Sequence, residues 1–472
     1  MNGYSINFVR DSKKAVKNKK LQKALFNTTN RFRNARENAV SDVENWETLR
    51  DDARQIKKHT IENLDKYLEI LEQSITENGG KVHWARDSYD ATRIIGEIAL
   101  NNKVSSIVKS KSMATEEVEL NPYLESIGLK VIETDLGEYI IQLAGEHPSH
   151  IIAPAIHKTK DDISKLFSEK LDIPYYEEPE KLTEIARQTL RNEFLNASMG
   201  ISGANFAVAD TGTIVIVENE GNARLTTTLP KIHVALVGIE KLIPRFEHLP
   251  IFLSLLARSA TGQKSSTYVS YISGPRKEGE IDGPQEFHLV LLDNGRTKIL
   301  ESEETRESLY CIRCGACLNI CPVYRHVGGH TYGWVYSGPI GAIITPQLMG
   351  IDKAPELPFA SSLCGACRDV CPVKIDIPKV LLELRKRVIE KRKGVGGFYI
   401  LERLSISLWK IIVTNKFLYN LVNKIFYYLQ KPWKKDDSNL NNLPFFLSHW
   451  TKERHFPVFS KKTFTERWKK IK

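Results

Sequence analysis

The chain has 472 residues, 42% hydrophobic and 26% charged, the composition of a globular protein long enough for two to four domains. Its formal charge of +10 is uneven: residues 385–472 hold 21 Lys and Arg against 6 Asp and Glu, a local balance of +15 that leaves −5 for the rest. No stretch of about 18 uncharged apolar residues occurs, and Met1–Lys20 has lysines but no apolar h-region, so neither a transmembrane span nor a secretory signal is expected.

Residues 1–78 read as a helical N-terminal arm. Trp46, Leu49, Ala53 and Ile56 recur at helical spacing, as do Ile61, Leu64, Leu68 and Leu71, and Gly79-Gly80 ends the run. The arm is expected to pack on the domain that follows. From 79 to 296, short apolar runs alternate with amphipathic segments. Val82-His83-Trp84, Leu129–Thr134, Tyr139–Leu143, Ile151–Ala155, Phe206–Ala209, Thr213–Val217 and Ile232–Gly238 are predicted as strands, with helices over Ala91–Leu100 and Lys181–Leu195. This alternation predicts an α/β domain with a covered sheet. Asp210-Thr211-Gly212 between two apolar strands predicts a hairpin turn.

Residues 297–393 hold all the cysteines, with glycines and prolines between helical pieces, and the cysteine runs make this span a ferredoxin-type domain. There Asp376 and Pro378 mark a helix start whose apolar face is Val380, Leu381, Leu384 and Val388. Residues 394–472 form a basic, aromatic, helical C-terminal tail. Between Trp409 and Leu429 the apolar groups are interrupted by Lys410, Lys416 and Lys424, which fits an amphipathic helix on a protein partner, with a membrane surface as the alternative.

All seven cysteines lie between residues 311 and 371, in two motifs over about 302–332 and 352–381. The first reads Cys311-x2-Cys314-x2-Cys317-x3-Cys321-Pro322; the second reads Cys364-x2-Cys367-x3-Cys371-Pro372. Such tight clustering argues against a disulfide framework and for a reducing, cytoplasmic compartment. Two separated C-x2-C pairs would fit tetrahedral zinc; seven cysteines with Cys-Pro endings do not. The spacing is that of bacterial-type ferredoxins, in which the C-x2-C-x2-C run wraps one cube and the fourth cysteine serves the other. Cys311, Cys314, Cys317 and Cys371 are therefore expected to hold one [4Fe-4S] cluster, and Cys321, Cys364 and Cys367 a second. The second is one thiolate short, and Ser361 stands where it would be. Ser361 ligating through oxygen, a [3Fe-4S] form, and a fourth iron open to water or substrate all fit this gap.

Further motifs carry a resemblance: 111–117 (Lys-Ser-Met-Ala-Thr-Glu-Glu), 209–213 (Ala-Asp-Thr-Gly-Thr), 219–224 (Asn-Glu-Gly-Asn-Ala-Arg) and 283–288 (Gly-Pro-Gln-Glu-Phe-His). With the cysteine runs they make the chain similar, over nearly its whole length, to the lactate-utilisation protein B family, the iron–sulfur members of a three-protein bacterial lactate-oxidation system. The resemblance implies a part in converting L-lactate to pyruvate, with this subunit passing electrons. It also implies an α/β domain similar to sugar-phosphate isomerases and CoA transferases. Gly200, Gly203 and Gly212 are candidates for a loop approaching an anionic ligand, or for tight turns. Arg224 is a candidate clamp for a carboxylate, or a surface ion pair. Glu116 and Glu117 are expected at least to favour a helix start.

No G-x-G-x-x-G fingerprint occurs, so a Rossmann site for NAD or FAD is not supported. Lactate oxidation is a two-electron step and cubes carry single electrons, so partners or an open iron must supply the missing chemistry. The sequence thus reads as a non-catalytic electron-transfer subunit, with other proteins of the lactate-utilisation system and an acceptor near the inner membrane face as partners. An enzyme using an open-iron cluster is the alternative, and no catalytic residue is assigned. Nucleic acid is not expected, since no recognised binding module accompanies the basic tail.

Overall fold

The computed structural model describes residues 6–110, 112–391, 397–434, 438–441, 443–444, 448, 451 and 454–471. Lys111 of the first motif, and parts of the predicted tail, lie outside the described residues. The chain divides into two compact units, one to Val388 and one from Ile389 onward.

The first unit is built on a six-stranded, all-parallel sheet. Its strands are β1 (Lys81–Ala85), β2 (Ser106–Ser110), β3 (Lys130–Glu133), β4 (Met199–Ser202), β7 (Ile232–Gly238) and β10 (Glu286–Leu292), in the order β1-β10-β7-β4-β2-β3. A second sheet, β8-β5-β6-β9, comprises β5 (Phe206–Val208), β6 (Thr213–Glu218), β8 (Leu242–Ile243) and β9 (Tyr268–Ile272). β5 and β6 pair antiparallel across the expected Asp210-Thr211-Gly212 turn.

Both faces of the large sheet are covered, so its central strands are apolar on both sides. On β7, Val234 and Leu236 face one apolar cluster while Ala235 and Val237 face another, as a period of two requires. The second of these clusters is continuous. It runs from Leu25, Trp46 and Leu71 of the arm, through the second sheet, to Leu318, Ile340 and Leu384 around the cysteines.

The arm is helical as expected, over Phe8–Ala15, Lys19–Ser41, Trp46–Glu62 and Leu64–Glu77. The helix Lys19–Ser41 touches the helix Leu249–Thr261 of the α/β part and the short helices Ala316–Ile320 and Tyr324–Val327 of the cysteine region.

Two predicted strands are not strands. Tyr139–Leu143 lies in a helix, Leu136–Ala144. The Asp135 carboxylate accepts the Gly137 and Glu138 N–H groups at its start, and left-handed Gly145 (φ 64°) ends it, so capping decides what a short apolar run leaves ambiguous. Ile151–Ala155 is irregular, because the Ile152 and Ala153 N–H groups go to the His150 Nδ1 and not to a ladder. Conversely, β2 went unpredicted because it buries Lys109 and Ser110, and polar residues hide a core strand.

The second unit contains the helices Gly397–Thr414 and Lys416–Leu429. Trp409, Phe417 and Tyr428 are exposed on them. No helix among the described residues is long and apolar enough to cross a membrane.

Candidate metal centre and the cavity beside it

The two cysteine loops share one backbone course. In the first, Arg313 (φ 59°) and Gly315 (φ 73°) are left-handed on either side of Cys314; in the second, Leu363 (φ 55°) and Gly365 (φ 84°) flank Cys364 in the same way. Glycine meets this demand freely, whereas Arg313 and Leu363 are held there against their preference. A short helix follows each turn, Ala316–Ile320 carrying Cys317 and Ala366–Asp369 carrying Cys367. The Arg313 N–H donates to the Cys311 Sγ (3.4 Å), and the Leu363 N–H donates to the Ser361 Oγ (3.1 Å). The serine hydroxyl thus occupies the loop position taken by the Cys311 thiol.

All seven thiols are free of disulfides. Cys314, Cys321, Cys367 and Cys371 are buried, Cys311 and Cys317 half-buried, and Cys364 exposed. Burial pushes the Cys314 thiol up, and the charges of Cys371 and Cys311 add to it. Burial also raises Cys371, to about 11, with Cys311 adding to the rise and the Ile375 N–H opposing it. Cys317, surrounded by protein though partly open, is raised by burial and then by Cys311 and Cys314. Cys321 is raised by burial and by Cys364, and Cys367, to about 12, by burial, Cys321 and Cys364. Thiols gathered this way resist ionising unless a cationic core joins them, which is the environment that a thiolate-ligated metal cluster fits. Backbone N–H groups already point at the sulfurs, from Tyr324 to Cys321 (3.5 Å) and from Ile375 to Cys371 (3.4 Å), where they would stabilise thiolate charge.

Cations from distant parts of the chain surround the first loop. The Arg50 guanidinium donates to the Cys371 carbonyl oxygen (2.8 and 3.0 Å), and the Arg36 guanidinium to that of Val370 (3.1 Å). Lys57, 1% exposed, donates to the carbonyls of Glu240 and Leu242; burial lowers its pKa to about 7. Arg313 enters a closed ring of buried groups. Its Nη2 donates to Glu240 (3.3 Å), Glu240 accepts from Arg296, and Arg296 forks onto Glu117 (2.9 Å to each oxygen). Glu117 accepts from the Tyr336 hydroxyl (2.6 Å), and the Tyr336 ring lies under the Arg313 guanidinium (4.4 Å). Burial alone would raise the Glu240 carboxyl; Arg296 and Arg313 outweigh it and hold it near 2. Gly238 is tied to this ring, since a Cβ there would meet the Glu240 carboxylate at 2.1 Å. Glu117 therefore does far more than favour a helix start: it joins the α/β part to the cysteine region.

Beside the ring lies a cavity of about 340 Å³. It opens at the C-terminal ends of β2, β4 and β7, where Met113, Gly203 and Gly238 line it, and is closed on the other side by Arg313, Cys314 and Tyr336. Between β2 and β4 the order of the parallel sheet reverses direction, and ligands of open α/β sheets bind at such switch points. Of the three candidate glycines only Gly203 is here; Gly200 lets the Thr226 backbone approach and Gly212 packs on Ser74. Arg224, the candidate clamp, is exposed and does not line the cavity.

Residues 68–292 match the LUD domain family and residues 307–375 match the 4Fe-4S dicluster domain. The fold and the thiol sites thus define an iron–sulfur protein with an LUD domain. Among curated proteins, the chain is 44% identical over 463 residues to "Lactate utilization protein B" of Shouchella clausii, covering 98% of this chain and 96% of that one. It is 45% identical over 444 residues to the Geobacillus sp. protein of the same name (94% and 92%), and 44% over 452 residues to that of Bacillus subtilis (96% and 93%). The chain belongs to the lactate utilization protein B family. A solved DUF162 family protein from Deinococcus radiodurans matches only at a TM-score of 0.28 and 13% identity, over 48% of this chain and 98% of that one.

Proposed function

We propose that the chain is an electron-transfer protein of lactate utilization, acting where L-lactate is oxidised to pyruvate. One observation supports this reading: seven free thiols lie close enough to act on one another, Cys314 with Cys311 and Cys371, Cys367 with Cys321 and Cys364, and backbone N–H groups are directed at Cys321 and Cys371. Cys311, Cys314, Cys317 and Cys371 would hold one [4Fe-4S] cluster; Cys321, Cys364 and Cys367 would hold the second, with Ser361 placed to offer the fourth donor. When bound, such clusters carry single electrons. The residues around the first set do the rest: Arg50, Arg36 and Arg313 place positive charge beside its thiolates, which favours the reduced, more negative state.

Two-electron chemistry and the lactate-activating group would come from partner proteins of the same system. The second unit, with its basic charge and exposed Trp409 and Phe417, would dock such a partner or an acceptor at the cytoplasmic face of the membrane. Truncation after Lys393 should then leave the iron content unchanged while weakening assembly, as gel filtration with the partners would record.

Anaerobically purified protein should contain seven or eight irons by the cluster stoichiometry of ferredoxin-type pairs. It should reduce a dye with lactate only when its partners are present. Lactate-dependent turnover by this protein alone would favour the competing reading, an enzyme in its own right.

A further inference from the structure

The cavity at the sheet's switch point has a feature the electron-transfer reading leaves unused. Arg313 is 8% exposed, and its Nη1 is buried without a hydrogen-bond partner, although its Nη2 is engaged by Glu240. A buried guanidinium N–H left unpaired is costly, so its retention points to a ligand that satisfies it. Lys241 lines the same cavity and makes no hydrogen bond or ion pair with the described residues. Two positive groups with donors unused by the described residues therefore line one cavity.

The acidic groups of the wall are mostly engaged elsewhere, Glu220 among them. Glu240 is matched by Arg296 and Arg313. Glu218 accepts the N–H groups of Ala223 (2.9 Å) and Arg224 (2.8 Å). Asp135 caps the helix Leu136–Ala144. Burial, with Glu133 and Asp135 nearby, raises the Glu138 carboxyl well above its ordinary range, which weakens its charge against an incoming anion.

We infer that this cavity binds a small organic carboxylate, held by the Arg313 Nη1 and the Lys241 ammonium, against the wall that carries Cys314. The fit is chemical and dimensional. A carboxylate has two oxygens for two donors. A volume of about 340 Å³ admits a few-atom acid with its waters, and Ile152 and Ala257 give an apolar side to its carbon chain. Neither Cys321, Cys364 nor Cys367 lines the cavity, so the ligand sits against the fully supplied thiol set and not the one lacking a thiolate. The binding claim stands apart from the electron-transfer reading; only its redox coupling rests on that reading. An anion beside the first set opposes adding an electron there, so by linkage the carboxylate binds the oxidised protein more tightly than the reduced one.

The test is calorimetric titration of full-length, cluster-loaded protein with L-lactate, pyruvate and inorganic phosphate, repeated on Lys241→Gln and on Arg224→Gln as an exposed control. Lys241 makes no hydrogen bond or ion pair with the described residues, so its replacement by Gln is expected to leave the fold and iron content intact, which iron analysis and a thermal melt check first. Binding of lactate or pyruvate that weakens at least tenfold in Lys241→Gln, is unchanged in Arg224→Gln, and weakens on dithionite reduction is the expected result. Equal affinity in Lys241→Gln overturns the site, and phosphate binding without carboxylate binding overturns the ligand class. If iron-replete protein binds none of the three at millimolar concentration, the inference falls, while lactate-dependent electron transfer with partners would still uphold the functional reading.

Discussion

The two cysteine loops follow the same backbone course and end in different surroundings. The first is walled by the arm, by the Glu117–Arg296–Glu240–Arg313 ring and by the guanidinium groups of Arg36 and Arg50; the second leaves Cys364 exposed and carries a serine where the first carries Cys311. A ferredoxin-type turn is thus a local code for placing sulfurs, while the character of each site is set by what packs around it.

The comparison is broken most forcefully at the sulfurs themselves. Cys314→Ser should remove about half of the iron and destabilise the whole first unit, because that loop lies in its continuous core; Cys364→Ser should remove only the second site's share. Iron analysis with thermal melts decides this, and equal destabilisation by the two variants would remove the contrast between the loops.

Next in size is the ring that belongs only to the first loop. Glu117→Gln leaves Arg296 with less of its counter-charge, and an unmatched buried charge costs about 3–5 kcal/mol. The urea midpoint should fall accordingly, and a shift below ~1 kcal/mol would mean that water reaches the ring.

Acidity should also act through the first loop. His150 packs against Gly315, accepts the Ile152 N–H on Nδ1, and bonds Asn319 through Nε2 (3.2 Å). Burial lowers its pKa from 6.5 to about 4. The unfolded chain takes up this proton near 6.5 and the folded chain only near 4, so stability is lost as pH falls through that window. The loss should approach roughly 3 kcal/mol. Urea titrations from pH 7 to 4 should display the slope, and His150→Gln should flatten it.

The smallest change sharpens the comparison from the other side. Ser361→Cys gives the second loop the donor set of the first, with little effect on stability. The EPR spectrum of the second site should then come to resemble that of the first, and an unaltered spectrum would show that position 361 lies outside the ligand sphere.

The iron–sulfur character was legible because cysteine spacing is a short-range pattern. So was the α/β alternation, since covered parallel strands are apolar runs such as Ile232–Gly238. The strand around Lys109 was not, because its ammonium is matched by Glu116 and Glu133 (2.7 Å each), partners that alternation cannot reveal. The buried ring was hidden for the same reason: Arg296 lies 179 residues from Glu117. Arg224 follows a glycine turn, yet the structure uses its backbone N–H and leaves its side chain exposed; Arg313, inside a cysteine run, carries no signal in the spacing that tells it from any other residue between two cysteines.

The reach of Arg50 has a consequence for how the chain is made. Its carbonyl partner at Cys371 lies 321 residues further along. During synthesis at about 5–20 residues per second the arm must therefore wait tens of seconds before its partner emerges. Throughout that interval the apolar face carrying Leu25, Trp46 and Leu71 lacks the last of its cover. The first thiolate set is likewise divided, with Cys371 made 54 residues after Cys317. Docking of the arm and closure of the first site are thus late, linked events, and iron offered before the second loop exists would meet an incomplete site.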